Sequence, residues 1–287
     1  MNTLFDVSVS NVQQLSVVKQ FNIHKLYIPF DLFYTCKTTV NEMDELHSKC
    51  DTSVYISLPE IVRNRDERYL AVLKEFLLTG KADGILIKNL EELQFLLEAE
   101  EELNKQYITL NGKVDGYTPL YIDSDSSIYT WNISASLFVK KYCTKLTAPL
   151  ELSIYELKEL KNPELIIPIY GHAPLMKSVN CIKKTSGNCD RHYDFNSEFG
   201  LRDRKNIYSP VISNCVHCYN IIYNAVPTSL HKYFDDLIKC GFNEFRLDFT
   251  IEKPEIVKKL MDYYLCDGKR IFPLEKYTAG HIQKGAI

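Results

Sequence analysis

The chain has 287 residues, of which 45% are hydrophobic and 25% are charged, enough for one large globular domain or two ordinary ones. With 34 Lys and Arg against 37 Asp and Glu, the formal net charge of −3 argues against a strongly basic nucleic-acid-binding protein and gives no general attraction to membranes. No charged-then-apolar leader follows Met1 and no apolar run is long enough to cross a bilayer. We therefore expect a cytoplasmic protein whose nine cysteines stay reduced.

Short β-prone runs and helix-periodic segments alternate along the chain. The β-prone runs are Phe5–Ser10, Lys25–Pro29, Ser53–Leu58, Gly84–Lys88, Pro119–Ile122, Ala148–Leu152, Leu165–Tyr170 and Glu244–Phe249. Helical periodicity follows four of them, at Asn11–Gln20, Glu67–Leu78, Glu91–Leu103 and Ile154–Leu160. This alternation indicates βαβ units and a parallel sheet. Eight units predict an α/β fold of the (β/α)8 TIM-like barrel type, regular or distorted, with a doubly wound open sheet as the alternative.

One segment, residues 170–224, interrupts this alternation after the seventh predicted strand. It is long and polar, and it contains four of the cysteines. Because barrel enzymes build their sites at the C-terminal ends of the strands, we expect this segment to project from that rim. No Pro/Gly/Ser-rich linker marks a domain boundary. The sequence thus predicts a single barrel-like domain over residues 1–287 with a cysteine-rich rim segment at 170–224.

The spacing of the four cysteines suits a soft metal centre. Seven residues separate Cys181 from Cys189, and Cys215 and Cys218 form a C-x2-C pair. Four thiolates complete either a zinc tetrahedron or an iron–sulfur cubane, and the first pair is looser than in zinc ribbons. The alternative is four reduced thiols that pack as small hydrophobic residues. Cys36, just past the second predicted strand, is a candidate replacement for one ligand.

Four polar residues are candidate substrate contacts. Arg246 and Asp248 alternate on the last predicted strand, so both face the same side. If that side is the barrel interior, an ion pair there is costly unless it serves a site. His172, at the end of the seventh predicted strand, is either an acid–base group or a structural histidine. Arg204 lies among other basic side chains that would suit an anionic substrate. No local pattern identifies catalytic residues.

Several motifs from Leu165 onward resemble one family in content and in order. Residues 169–176 (IYGHAPLM), followed by Cys181 and by residues 186–189 (SGNC), resemble the YGR-x-PLM … C … C block of the collagenase-like peptidases of family U thirty-two. Further resemblances lie at Leu201–Arg204, Ser209–Val211, Asn214–Asn224, Phe245–Thr250 and Tyr277–His281. The chain departs from the pattern at His172, where the family has arginine. The beginning of the chain resembles the second half of the longer members.

This resemblance implies a barrel-like fold that carries a 4Fe–4S cluster on Cys181, Cys189, Cys215 and Cys218, with zinc as the alternative. The better-defined relatives are oxygen-independent hydroxylases of ubiquinone precursors or of tRNA and rRNA bases, and others are recorded as collagenase-like proteases. We therefore expect oxygen-independent hydroxylation, or a related redox modification, of an RNA base or a small aromatic substrate. The alternatives are a peptidase with a structural metal site and a non-catalytic subunit whose partner subunit or domain supplies the active half.

Overall fold

Eight parallel strands close into a barrel in the computed structural model, which describes residues 3–36, 52–62, 67–99, 121–160, 164–189, 197–265 and 271–285. The barrel strands are β1 (Leu4–Ser8), β2 (Lys25–Pro29), β3 (Ser53–Ser57), β4 (Gly84–Ile87), β5 (Tyr121–Ser124), β6 (Lys145–Thr147), β7 (Leu165–Gly171) and β13 (Glu244–Asp248). Closure follows because β7 pairs with β6 and β13, and β13 pairs with β1. The predicted (β/α)8 barrel is confirmed, and the open-sheet alternative is wrong.

Helices follow the barrel strands on the outside. They are α1 (Val12–Val18), α2 (Phe30–Cys36), α3 (Glu67–Leu77), α4 (residues 90–99), α5 (Ile133–Val139), α6 (Ile154–Glu159), α8 (Phe234–Lys239) and α9 (Pro254–Leu265). Side chains cap several of them, as where Ser153 and Glu156 form a capping box at α6. Four helix predictions are confirmed, except that residues 100–103 of the third lie outside the described part of the chain.

The sixth strand prediction is wrong by several residues. The structure places β6 at Lys145–Thr147, and the predicted run Ala148–Leu152 forms the buried approach to α6. Ala148 and Leu152 are apolar because they pack in the core, and apolar character alone cannot separate a buried loop from a strand. The true strand is polar because Lys145 and Thr147 face charged groups inside the barrel.

Alternate residues along each strand face the helices and the barrel interior. Val7, Leu26 and Ile56 point outward into the main hydrophobic core. Their neighbours Asp6 and Lys25 point inward and are buried as well. Barrel interiors are usually filled by branched hydrophobic side chains, so a charged interior is a distinctive property of this chain.

Between β7 and β13 the chain forms a second sheet, which is antiparallel. It comprises β8 (Pro174–Ser178), β9 (Ser197–Arg202), β10 (Tyr208–Asn214) and β11 (Tyr219–Tyr223) in the order β8-β11-β10-β9, with helix α7 (Ile182–Thr185) after β8. Strand β12 (Thr228–Ser229) then returns to the barrel beside β7. The predicted insertion after the seventh strand is confirmed, whereas its strands were not predicted. In the described ranges, no helix is long and apolar enough to cross a membrane.

Candidate functional site

The four cysteines of the insertion lie at one end of the antiparallel sheet. Cys215 and Cys218 begin and end residues 215–218, the turn between β10 and β11, which we call the cysteine turn. Cys181 follows β8, which pairs antiparallel with β11. Asn220 Nδ2 donates a hydrogen bond to Asn180 O at 3.0 Å, which holds the approach to Cys181 beside the start of β11. Sheet pairing therefore brings the two sequence segments together.

The other three thiols are close enough to Cys215 to affect its pKa. Burial raises the pKa of the Cys215 thiol, and Lys183 opposes that shift. Charges on Cys181, Cys218 and Cys189 each raise the pKa further. Repulsion of this kind between thiolates is relieved when a metal cation or cluster binds them.

The thiols are not gathered as tightly as the ligands of a single ion. Across the described His, Cys, Asp and Glu side chains, the one group whose ligand atoms all lie within 4.8 Å of one another is Asp6, His24 and Glu244. A zinc tetrahedron, with sulfurs about 2.3 Å from one ion, is therefore not preformed by the cysteines. A cubane places each thiolate on a different iron and so tolerates wider spacing. The side chain of Cys36 lies outside the described part of the chain.

Contacts with Asp31 anchor the cysteine turn to the barrel. Asn214 Nδ2 donates to Asp31 Oδ2 at 2.6 Å, and Asn214 Oδ1 accepts from the backbone N–H of His217 at 2.9 Å. His217 Nε2 lies 3.4 Å from Asp31 Oδ1, and its ring packs edge-on against Tyr69. His217 lies between Cys215 and Cys218, where it could replace one of them as a metal ligand. In the structure its ring contacts Asp31 and Tyr69 of the barrel.

A cavity of about 80 Å³ lies where the C-terminal ends of β1 to β4 meet the inserted sheet. Its polar lining comes from Ser10, Asp31, Ser57, Glu60 and Lys88 of the barrel and from Asn214, Tyr219 and Tyr223 of the insertion. This volume accommodates roughly five to eight waters, or a small part of a larger ligand. The four candidate substrate contacts, His172, Arg204, Arg246 and Asp248, do not line this cavity.

Arg246 lies inside the barrel and is occupied by protein partners. Its Nη2 donates to Asp125 Oδ1 at 2.6 Å and its Nη1 donates to Thr147 Oγ1 at 3.0 Å. Its Nε lies 2.8 Å from Asp248 Oδ1 as an ion pair, though it is not aligned for a hydrogen bond. Burial raises the pKa of Asp125, but the charges of Arg246 and Lys88 and the hydrogen bond from Arg246 together hold it below its usual range. The Arg–Asp pair thus faces the barrel interior as predicted, and its partners in the structure are protein side chains.

Glu60 connects this charged interior with the inserted sheet. Its Oε1 lies 3.4 Å from Lys88 Nζ, and its Oε2 accepts from Lys177 Nζ at 2.6 Å. Its backbone N–H donates to the hydroxyl of Tyr219 at 3.1 Å. Burial lowers the pKa of Lys88, but Glu60 and Asp125 outweigh it and raise the pKa above the usual value. Alternating charges therefore run from Asp125 through Lys88 and Glu60 to Lys177.

His172 and Arg204 lie apart from this network. His172 Nδ1 is 2.7 Å from Asn224 O and therefore carries the proton, while Nε2 lies 3.8 Å from Glu252 Oε1. Glu252 also accepts a hydrogen bond from the Tyr170 hydroxyl at 3.0 Å. The contact between His172 and Asn224 links the beginning of the insertion to its end. Arg204 is exposed in the turn between β9 and β10, at the opposite end of the sheet from the cysteine turn. Of the four predicted substrate contacts, the structure pairs the two on β13.

Sequence reasoning missed a buried charged cluster at the N-terminal end of the barrel. His24 Nδ1 lies 2.9 Å from Asp6 Oδ1, while Lys25 Nζ and Lys145 Nζ lie 3.1 and 3.0 Å from the two oxygens of Glu244. Burial raises the pKa of Asp6 to about 7. Charged residues at inward positions of predicted strands were the available signal. Because both lysines already neutralise Glu244, little negative charge is left in this cluster to attract a metal ion.

Comparison with known proteins adds two weak structural similarities. No family model and no curated protein matches the chain. The C-terminal domain of a protein named as a chitinase, from Desulfitobacterium hafniense, has a TM-score of 0.40 and 10% identity, covering 90% of this chain and 97% of its own. A chitinase from Rhizomucor miehei has a TM-score of 0.37 and 9% identity, covering 85% and 94%. Similarities this weak give no information about the chemistry of the site.

Proposed function

We propose that this protein holds a 4Fe–4S cluster on Cys181, Cys189, Cys215 and Cys218, and that it uses the cluster in oxygen-independent hydroxylation or a related redox modification. The supporting observation is that the two sequence segments carrying the cysteines lie at one end of the inserted sheet, where Cys181, Cys189 and Cys218 are near enough to raise the pKa of Cys215. The motif resemblance to family U thirty-two supports the same assignment. Zinc is the alternative occupant.

The residues around the thiols suit a cluster of this kind. Lys183 favours the thiolate form of Cys215, which is the form that binds metal. Cys189 and Cys218 are exposed, so an external redox partner has access to this end of the sheet. Cys218 has a φ of 56°, the left-handed conformation that often ends a short hairpin turn such as residues 215–218. A bound cluster would supply one-electron transfer here.

The cavity at the barrel mouth is the proposed entry for the substrate. Asn214 lines it and directly precedes the cysteine turn, so the cavity and the thiols share one wall. Burial raises the pKa of Tyr219 and of Tyr223 above the ordinary phenol value, so both remain neutral hydroxyls that can donate to a substrate oxygen. At about 80 Å³ the cavity takes part of a small aromatic substrate or of an RNA-linked base, and it excludes a folded polypeptide.

Anaerobic purification with iron and sulfide analysis tests this proposal. We expect brown protein with a broad visible absorbance and about four irons and four sulfides per chain. Cys215→Ser and Cys218→Ser should lose the iron. Cys240→Ser is the matched control, because Cys240 is a half-buried cysteine at the end of α8, and it should retain the iron.

Other outcomes would favour the alternative functions. A content of one zinc ion and no sulfide per chain would favour a structural metal site over the cluster. Peptide cleavage by iron-free protein that survives Cys181→Ala would refute the redox reaction and favour a collagenase-like peptidase. Activity that requires a second protein would favour a non-catalytic subunit.

A further inference from the structure

We infer that Asp31 is a positioning residue for the cysteine turn, which it fixes against the barrel, and that its charge lowers the reduction potential of a cluster held there. The effect on the reduction potential rests on the function proposed above, because it requires a bound cluster. Asp31 positions the cysteine turn in the iron-free protein as well. Asp31 therefore has two consequences that can be measured separately.

Asp31 contacts the cysteine turn from the barrel side through two residues, Asn214 and His217. Its side chain is buried, with one oxygen 2.6 Å from Asn214 Nδ2 and the other 3.4 Å from His217 Nε2. Asn214 directly precedes Cys215, and His217 directly precedes Cys218. The 2.9 Å hydrogen bond from His217 N–H to Asn214 Oδ1 completes a closed set of contacts. Each cysteine of the turn therefore has a sequence neighbour in contact with one carboxylate.

Asp31 is itself held firmly by the barrel. It lies in the first turn of α2, directly after β2, between Phe30 and Leu32, which are fully buried in the core. Thr35 Oγ1 donates to the Asp31 carbonyl at 2.7 Å. Since backbone and flanking side chains are fixed, the carboxylate cannot follow a movement of the turn. The 2.6 Å hydrogen bond that the Asp31 carboxylate accepts from Asn214 is charge-assisted, and such bonds are among the stronger ones in proteins.

Because the Asp31 carboxylate contacts the residues that precede Cys215 and Cys218, it lies near the end of the sheet that carries the thiols. Electrostatic effects are weakly screened where water is excluded, so a carboxylate at this position opposes the addition of an electron nearby. Asp31 lines the cavity too, so one carboxylate contacts both the proposed substrate entry and the cysteine turn. Removing its charge while keeping its shape should raise the reduction potential.

The positioning role is tested on iron-free, reduced protein by alkylation of individual cysteines, followed by mass spectrometry. Asp31→Asn keeps the size of the side chain but weakens the hold on Asn214 and His217, so we expect Cys215 to react several-fold faster. Cys240, on α8, is the control within the same molecule and should react at the wild-type rate. Asn214→Ala, which removes the anchor from the insertion side, should act in the same direction if Asp31→Asn fails to fold. Unchanged rates at Cys215 in the folded variants would overturn the positioning role.

The electrostatic role is tested by anaerobic potentiometric titration of the iron-loaded protein. Asp31→Asn should have a higher midpoint potential than the wild type, with the same iron content. An unchanged potential would overturn this part of the inference and leave the cluster assignment intact. Wild-type protein that never holds iron or sulfide would instead refute the proposed function, and the alkylation rates would still decide the positioning role.

Discussion

Lys177 Nζ lies 2.6 Å from Glu60 Oε2, and this ion pair connects the first strand of the insertion to the segment that follows β3. Both side chains are largely shielded from water. The same carboxylate faces Lys88 of the barrel, so Glu60 joins the two layers that enclose the cavity. The insertion is thus fixed to the barrel by buried charge as well as by packing of Ile61 against the apolar cluster of β11.

We expect Glu60→Ala to destabilise the protein by about 2 to 4 kcal/mol, because Lys88 and Lys177 would lose a shielded partner. Chemical denaturation followed by circular dichroism measures this change. The matched control is Lys140→Ala, which breaks an ion pair of the same 2.6 Å length, between Lys140 and Glu164, that is exposed to solvent. That variant should lose less than about 1 kcal/mol. Equal losses in the two variants would contradict the role of Glu60.

Arg246→Met should destabilise the protein by about 3 to 5 kcal/mol, because Asp125 and Asp248 would be left without their cation in the barrel interior. Adding Asp125→Asn and Asp248→Asn to this variant should recover a large part of the loss. Urea unfolding of the variants measures the effect. If Arg246 instead serves mainly to bind substrate, Arg246→Met would keep the wild-type free energy of unfolding and lose only activity.

Glu92 should make the stability depend on pH. Burial raises the pKa of this carboxyl to about 8 in the folded protein, from a usual value of 4.5. The folded state therefore binds the proton more tightly than the unfolded state, so the free energy of unfolding contributed by Glu92 is fully present below about pH 4.5. It falls as the pH rises toward about 8 and is constant above that.

Glu92→Gln should remove this fall while retaining the acceptor for the Lys88 backbone N–H. Urea unfolding between about pH 5 and pH 9 measures the difference between the two proteins. Glu75→Gln, on the exposed side of α3, should keep the wild-type pH profile. A Glu92→Gln variant that loses stability with pH as steeply as the wild type would show that other groups cause the dependence.

Lys183→Met should weaken retention of iron under a chelator, because it removes the positive charge that favours the Cys215 thiolate. The rate of loss of visible absorbance measures retention. Lys184→Met, at the next and exposed position of α7, is the matched control and should release iron at the wild-type rate. Equal release rates in both variants would show that Lys183 does not contribute.

The sequence by itself indicated the barrel and the shared face of Arg246 and Asp248. Strand–helix alternation predicted eight parallel strands. The hydrophobic periods of strands and helices depend on the local backbone conformation and on which side chains face solvent, so they can be read from neighbouring residues alone. The two-residue period placed Arg246 and Asp248 on one side of β13 for the same reason. The position of the insertion followed from the one place where this alternation stops.

Only the tertiary structure decided which of these residues meet. Asp125, the partner of Arg246, is 121 positions away, and barrel closure rather than any local pattern brings the two together. Sheet pairing between β8 and β11 likewise determined that Cys181 lies beside the cysteine turn, and it left Arg204 at the far end of the same sheet. Contacts of this range depend on how strands pair in space, and side-chain periodicity carries no information about a strand's partner.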